Sequence, residues 1–184
     1  ATVIGILRWR WLVISFDIPF TIGESLRLGF LGYLLNFISF GSVGGDVFKA
    51  ILVAKDKPQR RPEAVASVLI DRALGLLGLI ILASLSLVAF SGEDLPAAMV
   101  VIRDWATALA VIGTAALLVA IYAGRWLDKL LDWVATIPVV GETLARMARA
   151  LRLLRNQPLT LVGLVMLSVA VHALLSITVF LISC

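Results

Sequence analysis

The chain has 184 residues, 61% of them hydrophobic, 15% charged and a formal net charge of +4, which excludes a soluble domain of ordinary composition. Its mean hydropathy is +1.04, and the charge-free runs 73–92, 105–124 and 156–184 each supply the roughly 20 apolar residues that a bilayer span needs. Such runs are too long for a soluble helix bundle. Nucleic-acid binding is excluded as well, because the basic residues follow membrane topology and no aromatic-basic motif accompanies them.

Residues 1–7 are apolar from the first position and lack the charged leader and cleavage site of a signal peptide. They read as the tail of a helix whose start is missing, and Cys184 closes an apolar run with no flanking charge. The expectation is a fragment of a larger transmembrane domain, incomplete at both ends. One cysteine permits no internal disulfide.

Arg8, Arg10 and Arg27 place residues 8–27 on the cytoplasmic side by the positive-inside bias. Residues 28–45 carry no charge, and the basic cluster Lys49, Lys55, Lys57, Arg60 and Arg61 is cytoplasmic by the same rule. The intervening chain must therefore enter and leave on one side. A re-entrant hairpin over 25–57 satisfies this: a helix over 25–40, a turn over 41–45 and a helix over 47–57. The competing reading is that 28–45 crosses fully and 49–61 lies outside.

Pro62 and Glu63 open a long helix, since proline and an acid suit a first turn. Spans are expected over 63–90, 97–123 and 158–184, the last opened by Pro158. Glu93 and Asp94, without a base, mark an outer connection. Between the second and third spans, 124–157 is a cytoplasmic amphipathic segment: Trp126, Leu127, Leu130, Leu131 and Val134 recur at helical spacing, and 142–155 carries arginine at every third position. These serve either as topology-fixing anchors or as contacts with anionic lipid. The cell inner membrane is the expected location, with 49–61 and 124–157 facing the cytoplasm.

An interrupted helix inside a hydrophobic region leaves backbone groups unpaired at membrane depth, which is tolerated only where protein or a wet cavity covers them. The break at Gly41-Ser-Val-Gly44-Gly45-Asp46 is therefore a candidate site. Asp46 fits a helix N-cap. Alternatively, the exposed amides beyond Gly44 and Gly45 face an anionic headgroup, with Lys49 adding charge. Asp71 and Arg72 stand in an otherwise apolar helix, where ionisable groups are costly and face partners or water. Neighbours on a helix point about 100° apart, so each needs its own partner. Arg72 with Asp46, and Asp71 with Lys49 or Arg27, would tie the hairpin to the first long span. Asn36 and Ser39 either line the cavity or bond between helices. His172, the single histidine, reads as an interhelical hydrogen-bonder. Arg103-Asp104 reads as a solvated pair, and Gly29/Gly32 and Gly75/Gly78 as points of close helix contact. No nucleophile–base–acid set or metal-ligand cluster is evident. The glycine-rich turn is not a phosphate loop, because no Gly-Lys-Ser/Thr follows it.

Asn36…Phe-Gly-Ser-Val-Gly-Gly-Asp-Val-Phe-Lys-Ala50, the basic loop, and Ala66-Ser-Val-Leu-Ile-Asp-Arg-Ala-Leu-Gly75 resemble the transmembrane flippase-like domain of lysylphosphatidylglycerol synthases, the membrane half of the multiple peptide resistance factor and its stand-alone relatives. The resemblance covers nearly the whole chain. It implies a bundle with re-entrant helices that moves a lipid between leaflets, aminoacylated phosphatidylglycerol in the best-known members. It also implies further spans beyond residue 184. Phe40 stands where the family usually has proline before the turn, which leaves the turn less rigid.

The sequence thus predicts a non-enzymatic lipid translocase for an anionic or aminoacylated phospholipid, or a related lipid-linked headgroup. Its expected site residues are Asn36, Ser39, Gly44, Gly45, Asp46, Lys49, Asp71 and Arg72. No cofactor or metal is expected. The expected partners are membrane phospholipids and further copies of the chain, and no nucleic acid. The alternative is a non-transporting accessory protein that anchors a cytosolic glycosyltransferase or lipid-modifying enzyme through 125–155.

Overall fold

The computed structural model describes residues 1–38, 44–56, 60–89, 96–122, 133 and 141–183. The described residues are almost entirely helical, in the order α1 (Thr2–Ser15), α2 (Ile22–Ile38), α3 (Gly44–Asp56), α4 (Arg61–Ala89), α5 (Ala97–Tyr122), α6 (Gly141–Leu151) and α7 (Pro158–Ser183). A short 3₁₀ turn, Arg152–Asn156, joins α6 to α7. Ser39, Phe40, the turn residues 41–43, Lys57, Pro58, Glu93, Asp94 and most of 123–140 lie outside the described residues.

α1 continues through Arg8 and Arg10, beyond the expected apolar tail. It stops where Asp17 takes a positive φ of 56°, a conformation that aspartate tolerates better than most residues, and Pro19 follows. α2 begins earlier than the sequence reading placed it. Thr21 and Glu24 form a capping box: the Glu24 carboxylate accepts the Thr21 N–H at 2.7 Å, and the Thr21 hydroxyl accepts the Glu24 N–H at 3.2 Å. Thr21→Ala should lower stability by about 1 kcal/mol through loss of this cap, read as a fall in unfolding temperature in detergent.

α2 and α3 fold back on each other along Gly32 and Gly45. A Cβ on Gly45 would collide with the Gly32 carbonyl, and one on Gly32 with the Lys49 stem. Gly45→Ala should therefore pry the two helices apart, at a cost of about 1–3 kcal/mol as an overpacking change. A thermal unfolding curve matching the parent's would refute this.

α4 is the hub, packing against α1, α3, α5, α6 and α7. Its Ser84 hydroxyl meets Thr107 of α5 at 2.9 Å, and Gly78 admits Ser168 of α7 in close contact. Gly29 likewise lies directly against Ile6 of α1. The core runs through Trp9, Leu12, Phe16, Val53, Ile70, Leu74 and Leu164, so it draws on α1, α3, α4 and α7.

Among the described residues, three helices are long and apolar enough to cross a membrane: Arg61–Ala89, Ala97–Tyr122 and Pro158–Ser183. Only 6% of the most apolar stretch of α5, and of α7, is buried within the protein. Residues such as Leu159 and Ile182, 85% and 81% exposed, turn an apolar surface outward. In water that surface would be an aggregation patch, whereas hydrocarbon solvates it. These helices begin and end within two residues of 63–90, 97–123 and 158–184. α6 corrects the expected helix over 142–155: the α-helix ends at Leu151 and the chain tightens into the 3₁₀ turn. The three-residue arginine period suits that tightening, since positions i and i+3 eclipse in a 3₁₀ helix.

Candidate functional site

α1, α2, α3, α4 and α7 line a half-open cavity of about 620 Å³. Its polar lining comes from Arg8, Asn36, Lys49, Asp71, Arg72 and His172, and Trp9 and Tyr33 add aromatic faces.

Arg8 is the residue that sequence reasoning missed. It is not an interfacial charge grouped with Arg10 and Arg27; it is 7% exposed in the middle of α1. Its Nε donates to the Asp71 carboxylate at 2.9 Å, Nη2 donates to the Asp71 carbonyl at 3.1 Å, and Nη1 donates to the Ser168 hydroxyl at 2.8 Å. Ser168 in turn donates to the Leu74 carbonyl at 2.7 Å. One guanidinium thus ties α1, α4 and α7 with a planar fork that an ammonium could not match. The expected partners of Asp71, Lys49 or Arg27, are replaced by Arg8. The signal was present: Arg8 sits among Ile6, Leu7, Trp9, Leu12 and Val13, an apolar stretch that the two arginines interrupt without ending.

The other expected pair forms. Arg72 bonds Asp46 through its Nε, joining α4 to α3. Lys49 lies 3.5 Å from the same carboxylate, with its ammonium 5.6 Å from the Trp9 ring centroid. Trp9 is held in turn by its Nε1–H to the Ser67 hydroxyl, 3.3 Å, and by edge-on packing against Phe20. Asp46 lies inside the first turn of α3 and spends its carboxylate on two cations, so the N-cap expectation is corrected.

Asn36 both lines the cavity and bonds across the hairpin, its Oδ1 accepting the Gly45 N–H at 2.8 Å. That amide is therefore not offered to a headgroup, contrary to the expectation for the turn. Gly44 begins α3. Ser39 lies outside the described residues. His172 also departs from expectation: its Nδ1 lies 2.8 Å from the Ser168 carbonyl of its own helix, not from a neighbouring one. Arg103 and Asp104 pair with each other at 2.8 Å on an exposed face, as expected.

The site holds three cations, Arg8, Lys49 and Arg72, against two carboxylates, Asp46 and Asp71, and so keeps a net positive charge. Arg72 differs from Arg8 in one respect: its side chain is 52% exposed, against 8%. Arg8 is buried in its bonds, whereas the Arg72 side chain stands half open at the cavity.

A family model described as the lysylphosphatidylglycerol synthase TM region matches residues 1–183. The chain belongs to that family. No curated protein and no solved structure matches it. In this lysylphosphatidylglycerol synthase TM-region chain, four residues that carried the resemblance, Asn36, Lys49, Asp71 and Arg72, line one cavity, and Asp46 joins them through Arg72 and Lys49. The added elements are Arg8, Trp9, Tyr33 and Ser168. Trp9 and Tyr33 are polar-tipped aromatics that pattern reading assigns to the core by default.

Proposed function

We propose that this domain is a lipid translocase that passes an anionic phospholipid headgroup between leaflets, with no covalent chemistry, while the acyl chains stay in the bilayer. The observation that carries this reading is the net-positive cavity of about 620 Å³, in which Arg72 is the accessible cation. A phosphate there would trade hydration for charge-assisted hydrogen bonds to a guanidinium. Without such groups a charge in the apolar bundle would be prohibitively costly.

The hairpin supports the same reading. α2, with 17 residues, and α3, with 13, extend about 25 Å and 20 Å, both less than the roughly 30 Å hydrocarbon thickness. They pack on each other and on α1 and α4. A re-entrant pair of this kind sets a polar surface at membrane depth without exposing its backbone to lipid.

The accessory-anchor reading has less support. Ala145, Ala150, Leu151 and Leu154 are buried as the α6 region packs against α4 and α5, so this apolar face is already occupied.

The test is reconstitution into vesicles that carry a fluorescent phosphatidylglycerol. Its inner-leaflet pool should become accessible to a membrane-impermeant quencher in the presence of the parent protein, and much more slowly with Asp71→Asn or Arg72→Ala. Folded variants that translocate as fast as the parent would refute the site; a parent that translocates nothing would refute the function.

A further inference from the structure

A second depression of about 800 Å³ lies on the opposite side of Arg72, between α3 and α4. Its walls are apolar: Val47, Ala50 and Ile51 from α3 face Val65, Val68 and Leu69 from α4. Val47, Ile51 and Val65 are 51%, 58% and 40% exposed, so the groove is open along its length. Its two ends differ. Lys55 and Arg61, both exposed, stand at the end near the α3–α4 connection, and the Asp46–Arg72 pair closes the other. Arg61 and Arg72 are eleven residues apart on one helix, about 16 Å along its axis. Arg72 lines both this groove and the cavity, so its ion pair is the wall between them.

We propose that the α3–α4 groove is a lateral loading site for an anionic phospholipid. The phosphate is held by Lys55 and Arg61, and one acyl chain lies along the apolar walls toward Arg72. The occupant follows from charge complementarity. Two exposed bases with no ion pair among the described residues, at one mouth of an apolar trough, match a molecule with an anionic head and a long hydrocarbon tail, and basic residues at a membrane surface attract anionic lipid. Val47, Ala50, Ile51 and Ala54 recur at helical spacing, which leaves α3 an apolar stripe beside α4 for that tail. The proposal rests on the translocase reading, and it names the route by which the headgroup reaches the cavity: past the Asp46–Arg72 pair.

The experiment is photocrosslinking of the full protein in nanodiscs. Two lipids carry the same diazirine acyl chain, one on phosphatidylglycerol and one on phosphatidylcholine, and adducts are mapped by mass spectrometry. Phosphatidylglycerol adducts should concentrate on Ile51 and Val65. They should fall about thirty-fold in Lys55→Ala/Arg61→Ala, the combined effect of two basic contacts with anionic lipid. Phosphatidylcholine adducts should be weak and unchanged. Ala50→Trp should fill the groove and remove the adducts while both bases remain. Equal labelling by the two lipids, insensitive to the double variant, would mean ordinary annular contact and would overturn the proposal. Vesicle translocation by the same preparations separates the two ideas: a parent that moves lipid but gives no groove adducts defeats the groove alone, and one that gives the adducts but moves no lipid defeats the translocase alone.

Discussion

Replacing Arg8 with alanine should destabilise the protein by about 3–5 kcal/mol, the cost of stranding one member of a buried ion pair. Asp71 would lose both the side-chain bond to its carboxylate and the bond to its carbonyl, and Ser168 would lose its guanidinium donor. Asp71→Asn should cost less, because an amide oxygen can still accept from Arg8. The double variant Arg8→Met/Asp71→Leu fills similar volume without charge, and such replacements of buried pairs are often neutral or stabilising. It should therefore recover much of the unfolding temperature lost in Arg8→Ala. Recovery of fold without recovery of lipid movement would assign the Arg8–Asp71 pair to transport as well as to architecture. An Arg8→Ala protein with the parent's melting behaviour would show that the pair holds nothing together.

The second large effect concerns Arg72 and Asp46. Their pair is half open to its surroundings on the arginine side, and such pairs contribute at most about 1 kcal/mol to stability. Arg72→Ala should leave folding nearly intact and slow phosphatidylglycerol translocation by about ten- to a hundred-fold, the range for losing a hydrogen bond to a charged group. Arg72→Lys should restore only part of it, because an ammonium lacks the bidentate fork. Asp46→Asn removes the competitor for the guanidinium and should increase the anionic lipid retained on purification. A pair with only a structural role would respond alike to both substitutions. Opposite signs in lipid retention mark a ligand-binding cation held in check by a carboxylate.

The three long apolar helices were legible because they are set by long-range hydropathy, a one-dimensional property of the chain. The Arg72–Asp46 bridge was legible too: an intramembrane arginine needs an anion, and the carboxylate at the helix break was near at hand. Arg8 was harder to read, because its apolar neighbours hint at burial but do not name its partners. The topology rule assigns bases near helix ends to the interface, and only the packing of α1 against α4 and α7 shows this one desolvated. The start of α2 was missed for a more local reason: Thr21-Ile-Gly-Glu24 spells a capping box that was present in the sequence and went unused. Asn36 was ambiguous between two roles and fills both, which no pattern of spacing decides.

Asp71 and Arg72 are consecutive on α4, yet one clasps α1 and the other clasps α3. Since they project about 100° apart, α4 cannot roll to release either clasp without displacing the other. The helix is in that sense an axle with two cranks. Any turn of α4 at Arg72 is therefore coupled, through Asp71 and the guanidinium of Arg8, to α1 and α7.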